Sequence, residues 1–161
     1  ALAVGGGHFL GRDVLDAPAG ELVRALEGRV HVVLAREVAL QALFQEDLNP
    51  RDSRDQVMPL LEGRMKDPVL RDFAVSLVLG VLRNRDELDA LIAAKAENWS
   101  VSRMAVTDRN VLRLGAFEMR YTDTPDRVAV DEAVELAKRF GSANSSQFVN
   151  GILDKLIEKN E

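Results

Sequence analysis

The chain has no cysteine and only two histidines, His8 and His31. Without a thiol there is no disulfide framework, no thiolate metal site and no cysteine nucleophile, and nothing points to an oxidising compartment. Neither histidine stands in a His-Glu-x-x-His arrangement, so the ligand cluster of a protein-bound metal is missing and no metal is expected. No apolar run approaches the roughly 18 residues that cross a bilayer. The opening Ala1-Leu-Ala-Val-Gly-Gly-Gly7 also lacks the basic stretch of a secretory signal. We therefore expect a cytoplasmic protein with no membrane contact. Gly5-Gly6-Gly7 is not followed by Gly-Lys-Ser/Thr, as a phosphate-binding loop would require, and no serine occupies a nucleophile elbow. Carboxylates such as Asp131, Glu132 and Glu135 are accounted for by a helix start, where the backbone dipole favours negative charge. Neither a catalytic set nor a cofactor site emerges, and no enzyme is expected.

Aromatic residues are scarce as well, at 5%, while 47% of the 161 residues are apolar, enough for one domain to build a core unaided. Leu, Ala, Val, Glu and Arg dominate, a balance that favours helix over strand. The fold class expected is all-α. Residues 1–28 differ in texture, with a glycine run, Pro18 and a short amphipathic piece from Ala19 to Glu27 closed by Gly28, and read as an N-terminal extension to a domain spanning 29–161.

A first helix is predicted over about Val32–Asp47, from the spacing of Leu34, Val38, Leu40, Leu43 and Phe44. Asn49-Pro50 ends it, and a shorter helix follows over Ser53–Met65. Asp67-Pro68 reads as an N-cap followed by proline at the first helical position. From there Leu70, Phe73, Leu77, Val81, Leu88 and Ile92 keep one helical period, which predicts a single helix of about thirty residues with Gly80 as a close-packing point. Trp99-Ser100 breaks it. Thr107 is expected to cap a helix over Asp108–Tyr121 that is apolar around most of its circumference and hence central. Val130, Ala133, Val134, Ala137 and Phe140 mark the next helix, stopped by Gly141, and Phe148, Val149, Ile152, Leu153 and Leu156 mark the last.

A formal net charge of −5 argues against nucleic acid when taken globally, so local clusters have to decide. The segment Val128-Ala-Val-Asp-Glu-Ala-Val-Glu-Leu-Ala-Lys-Arg-Phe-Gly-Ser-Ala-Asn-Ser-Ser-Gln-Phe-Val-Asn-Gly-Ile-Leu-Asp-Lys-Leu156 closely resembles the end of NusB antitermination factors: an acidic helix, a Lys/Arg-Phe-Gly stop, a polar loop, then Phe-Val-Asn-Gly. Asp108–Glu118 is similar to that family's central helix, Leu77–Asn84 to its long helix and Arg36–Phe44 to its first, so the resemblance spans about residues 35–157.

The resemblance implies two small helical subdomains packed as one domain. It also implies binding of boxA-type single-stranded RNA from ribosomal RNA leaders, together with the small-subunit ribosomal protein also called NusE, alongside other Nus factors and RNA polymerase. The arginine-rich segment that precedes the family's first helix is reduced here to Arg29, Arg36 and His31. Arg36 reads as a phosphate contact or a solvated helix-start arginine. Phe73 and Phe148 read as core or as stacking surfaces for unpaired bases. Asn144, Ser145, Ser146 and Gln147 form a polar loop at a helix start, suited to a phosphate or to plain capping. For the protein partner the resemblance implies Gln41, Phe44 and Gln45 on the first helix and the stretch from Arg83 to Glu87, although ordinary subdomain packing would use the same residues. Two other readings fit the sequence: the RNA-binding domain of an rRNA cytosine methyltransferase, and a helical scaffold that binds protein alone.

Overall fold

The fold is given by a computed structural model, which describes the backbone of residues 19–50 and 53–157 and the side chains of 28–50 and 57–157. Among the described residues the only regular structure is helical: α1 (Ala19–Leu48), α2 (Ser53–Arg64), α3 (Pro68–Arg83), α4 (Arg85–Lys95), α5 (Val106–Tyr121), α6 (Asp126–Phe140) and α7 (Ser145–Leu156), with one 3₁₀ turn at Val101–Arg103. Gly5–Gly7 lies outside the described residues.

Three local outcomes differ from the sequence expectation. Gly28 does not end a separate amphipathic piece; α1 runs through it, and a side chain there would meet nothing within 4 Å. Glycine inside a helix costs about 1 kcal/mol relative to alanine, too little to stop a helix whose later turns are anchored in a core. The expected thirty-residue helix is instead two helices, α3 and α4. At Asn84 the backbone turns to φ −110°, ψ 16°, and the Asn84 side-chain amide and backbone N–H both donate to the Gly80 carbonyl, at 2.7 and 3.2 Å. A short amide side chain that competes for helix carbonyls is a known way to end a helix. Finally, α5 starts two residues earlier than expected: the cap position is Ala105, and Thr107 lies within the first turn. The Asp67 cap forms as predicted, its Oδ1 accepting from the N–H groups of Val69 and Leu70 at 2.9 and 3.4 Å.

The helices divide into α1–α3 and α4–α7, and one continuous core joins the halves. Helix α5 holds this core together: it packs on α1 and α3 on one side and on α4, α6 and α7 on the other. Its residues from Asn110 to Met119 are all buried, as its apolar circumference predicts, but three of them are polar. Such groups need partners.

Two polar clamps answer them. Glu118 accepts from the Nε and Nη2 edge of the Arg36 guanidinium, with Nε 3.1 and 3.0 Å from Oε1 and Oε2 and Nη2 2.8 Å from Oε1. The Arg36 guanidinium also lies over the Phe73 ring, 5.6 Å from its centroid, so α1, α3 and α5 meet at one side chain. At the far end of α1, Asp47 accepts from Arg109 at 2.6 and 2.8 Å, from Asn110 at 2.8 Å and from Arg113 at 3.2 Å. Arg113 reaches on to Asp89 of α4 at 2.7 and 2.9 Å. Burial raises the Asp47 carboxyl, but the hydrogen bonds from Arg109 and Asn110 and the charges of Arg109 and Arg113 outweigh it and hold the group below its ordinary value of 3.8.

Each clamp yields a prediction. Arg36→Ala leaves the buried Glu118 carboxylate without its partner and Glu118→Gln leaves the buried guanidinium without its counter-charge; each should destabilise the fold by about 3 kcal/mol, whereas Arg36→Met with Glu118→Leu should cost much less than the sum. Urea unfolding of the four proteins checks this, and additive losses would show that the two side chains are not coupled. For Asp47, the lowered folded-state value means its contribution is fully present above the unfolded value of 3.8 and is lost as pH falls through the lower one. Asp47→Asn should therefore flatten the acid limb of stability against pH, and an unchanged limb would assign acid sensitivity elsewhere.

Candidate nucleic-acid and partner interface

The first half of α1 carries Arg29 and His31, both exposed. Beside them a groove of ≈ 400 Å³ runs between α1 and the second half of α6, edged by Arg29 on one wall and by Lys138 and Arg139 on the other. Arg139 crosses it to pair with Glu37, and its guanidinium lies 5.5 Å from the centre of the Phe140 ring. Lys138 pairs with Glu135 at 3.2 Å on the exposed face. The groove thus has a basic rim and, through Glu37, Glu132 and Glu135, an acidic lining. The rim suits phosphate; the lining limits the gain.

Arg36 also lines this groove, yet it is 3% exposed and its guanidinium is occupied by Glu118. It is neither a solvated helix-start arginine nor available to a phosphate unless that pair breaks. The continuous α1 explains the difference, because Arg36 stands mid-helix on the face turned to α5 rather than at a helix end. Phe73 is half-buried against the core, and the same guanidinium covers one face of its ring.

Past Phe140 the groove wall gives way to the loop before α7. Gly141 is needed there, since a Cβ at that position would lie 2.5 Å from Ser145 Cβ and 2.7 Å from the Ala137 carbonyl. Ser145 is buried, and its hydroxyl accepts from the Ser142 N–H at 2.9 Å and pairs with the Ser142 hydroxyl at 3.1 Å. It is therefore a structural residue of the loop, not part of an open polar surface. Asn144 occupies the cap position of α7 but makes no side-chain cap bond, and it is exposed with Gln147. Ser146 is half-buried. Phe148 packs on the core at one edge and meets Trp99 edge-on, with ring centroids 5.7 Å apart.

On the second half of α1, Gln41 accepts from Arg64 of α2 at 2.9 Å, Phe44 is half-buried and Gln45 is exposed. An ion pair between Glu46 and Arg85 brings the corner of α3 and α4 beside this face, with Arg83 and Glu87 exposed on either side of Arg85. The two sets expected for a protein partner thus adjoin. Tyr121, which the sequence did not single out, completes the corner: its ring stacks on Phe117 at 5.5 Å, and its hydrogen bond to Glu87 pushes the phenol above its ordinary value. Lys138 and Arg139 also went unnoticed, because basic residues in a last helical turn are what the helix dipole alone would favour. Among the described residues no group of three or more His, Asp or Glu could hold a metal ion, and no helix is long and apolar enough to cross a membrane.

The family model of the NusB family matches residues 34–158. Transcription antitermination protein NusB of Anaeromyxobacter dehalogenans is 46% identical over 125 residues, covering 76% of this chain and 87% of that protein. The same protein of Bdellovibrio bacteriovorus is 41% identical over 124 residues, covering 76% and 91%. Among solved structures, T. maritima NusB superposes with a TM-score of 0.70 at 36% identity over 78% of this chain and 89% of that one. NusB in a complex of the antitermination factors NusB and NusE with double-stranded RNA superposes with a TM-score of 0.70 at 26% identity, over 78% and 95%. A matched region that takes in every helix from the buried half of α1 through α7, with relatives aligned along about nine tenths of their own length, leads to one conclusion: the chain belongs to the NusB family.

Proposed function

We propose that this protein is a transcription antitermination factor that binds boxA-type RNA of ribosomal RNA leaders jointly with the small-subunit ribosomal protein also called NusE. In the bacterial cytoplasm the pair would join other Nus factors on RNA polymerase. The observation that carries the reading is the match of the described fold to 95% of a NusB chain from a complex with NusE and RNA. The protein acts by holding partners, without a catalytic step. RNA meets the basic rim of Arg29, Lys138 and Arg139 and the exposed polar loop of Asn144 and Gln147; the ribosomal protein meets Gln41, Phe44, Gln45, Arg83 and Glu87, with Tyr121 beside Glu87.

The rim's three cations stand against an overall charge of −5, and two of them already face carboxylates. RNA binding by the protein alone should therefore be weak and lean on the ribosomal partner. Titrating boxA-type RNA across salt concentrations, with and without that partner, should give a shallow slope of log affinity against log salt, of about −1 to −2 for the chain alone. Arg29→Ala should reduce the slope by roughly 0.7. Affinity independent of salt would remove the basic rim from the RNA surface, and RNA binding absent even with the partner would turn the reading toward a scaffold that binds protein only.

Asn144 supplies a second test. An uncharged amide at the start of α7 does not repel a phosphate, whereas a carboxylate there would. Asn144→Asp should weaken RNA binding several-fold at low salt, with the gap closing as salt screens the charge. Equal affinities at low salt would remove this loop from the RNA surface.

A further inference from the structure

Trp99 is the chain's only tryptophan, and it is 56% exposed, an unusual place for the largest aromatic side chain. It does not sit on a loose loop. Asn98 turns the chain through a left-handed φ of 68°, and the Trp99 N–H donates to the buried Ala96 carbonyl at 3.1 Å. The Phe148 ring meets the indole at 68° and is itself fixed against the core, so the contact holds Trp99 by one side and leaves the rest of the ring to solvent. Lys155 reaches from α7 to the Lys95 carbonyl at 3.5 Å, joining α7 to the end of α4, four residues before Trp99.

The surroundings indicate what the open ring would accept. Glu97, Asn98, Ser100, Ser102 and Arg103 are all exposed, so apart from Phe148 the indole has a polar setting, without the broad apolar patch that a stable protein interface requires. A flat apolar face ringed by hydrogen-bonding groups matches a nucleotide base, whose faces are apolar and whose edges are polar. Phe148 stands in the first turn of α7, directly after the exposed Asn144 and Gln147, so the indole continues the RNA surface proposed above.

We propose that Trp99 is a stacking platform for one unpaired base of the bound RNA, with Phe148 as its positioning residue. This rests on the RNA-binding reading, and it transfers the stacking role that the sequence suggests for Phe148 to a ring the sequence marks only as a helix break.

With a single tryptophan in the chain, its emission reports on this ring alone. Adding single-stranded boxA-type RNA to the full protein should quench that emission in step with binding followed by labelled-RNA anisotropy. Replacing bases one at a time by abasic sites should identify one position whose loss abolishes the quench. A blunt duplex of the same sequence should bind without quenching. With the ribosomal partner present, Trp99→Ala should weaken RNA affinity about tenfold and Trp99→Phe by no more than a few-fold, with melting temperatures unchanged. If RNA binds but emission is unchanged and Trp99→Ala binds equally well, the platform is refuted while the antitermination reading stands. If duplex quenches as strongly as single strand, or the ribosomal protein alone weakens its hold on Trp99→Ala, the ring serves something other than an unpaired base. Absence of RNA binding by the unaltered chain, with and without its partner, removes both proposals.

Discussion

The arrangement of the helices depends on the pairing of Arg36 with Glu118. Helix α5 is enclosed by five other helices, so any charge it carries must be answered by a neighbour or be expelled. Glu118 is 2% exposed and is answered by one guanidinium through three hydrogen bonds. That geometry fixes how far along α5 the first helix can sit and how it is rotated about its own axis. A sliding of α1 by one residue, about 1.5 Å, would break the fork. The Asp47 cluster repeats the constraint at the other end, so α1 is located twice along its length, by groups with directional demands that a purely apolar contact would lack.

Most of the fold was legible as periodicity. The central character of α5, the Asp67 cap and the Gly141 stop follow from apolar spacing and the local chemistry of one or two residues. The division of α3 from α4 was not, and the reason is geometric: Val81 and Leu88 are both buried and stand seven apart, two helical turns, so the apolar register passes across Asn84 as though the helix continued. Gly28 misled in the opposite sense. A glycine signals an end only when the chain after it has reason to turn, and in α1 the following turns are the ones embedded in the core.

Of the candidate site, the sequence shows which segments carry polar and basic residues but not which of their side chains face solvent. Arg29, His31, Asn144 and Gln147 stand exposed where a ligand could meet them, and the two halves expected for a protein partner adjoin across the Glu46–Arg85 pair. Arg36 and Ser145 could not be placed from sequence, since their partners Glu118 and Ser142 decide whether the side chain faces solvent, and the first lies 82 positions away. Lys138 and Arg139 are indistinguishable in sequence from any basic helix end until α1 is seen across the groove.

At Gly80 the space a side chain would fill is taken by Phe117: a Cβ there would lie 2.1 Å from Cζ and 2.5 Å from Cε2 of that ring. The same ring stacks on Tyr121, which is bonded to Glu87. Positions 80 and 117 therefore share one fixed volume, and divergence at either is conditional on the other. A chain of this fold that acquires even a methyl group at 80 must displace the aromatic ring at 117, and with it the support under the tyrosine. Two neutral-looking drifts, one on α3 and one on α5, are in effect a single coupled step, and its visible outcome is a reshaped corner where α3, α4 and α5 converge.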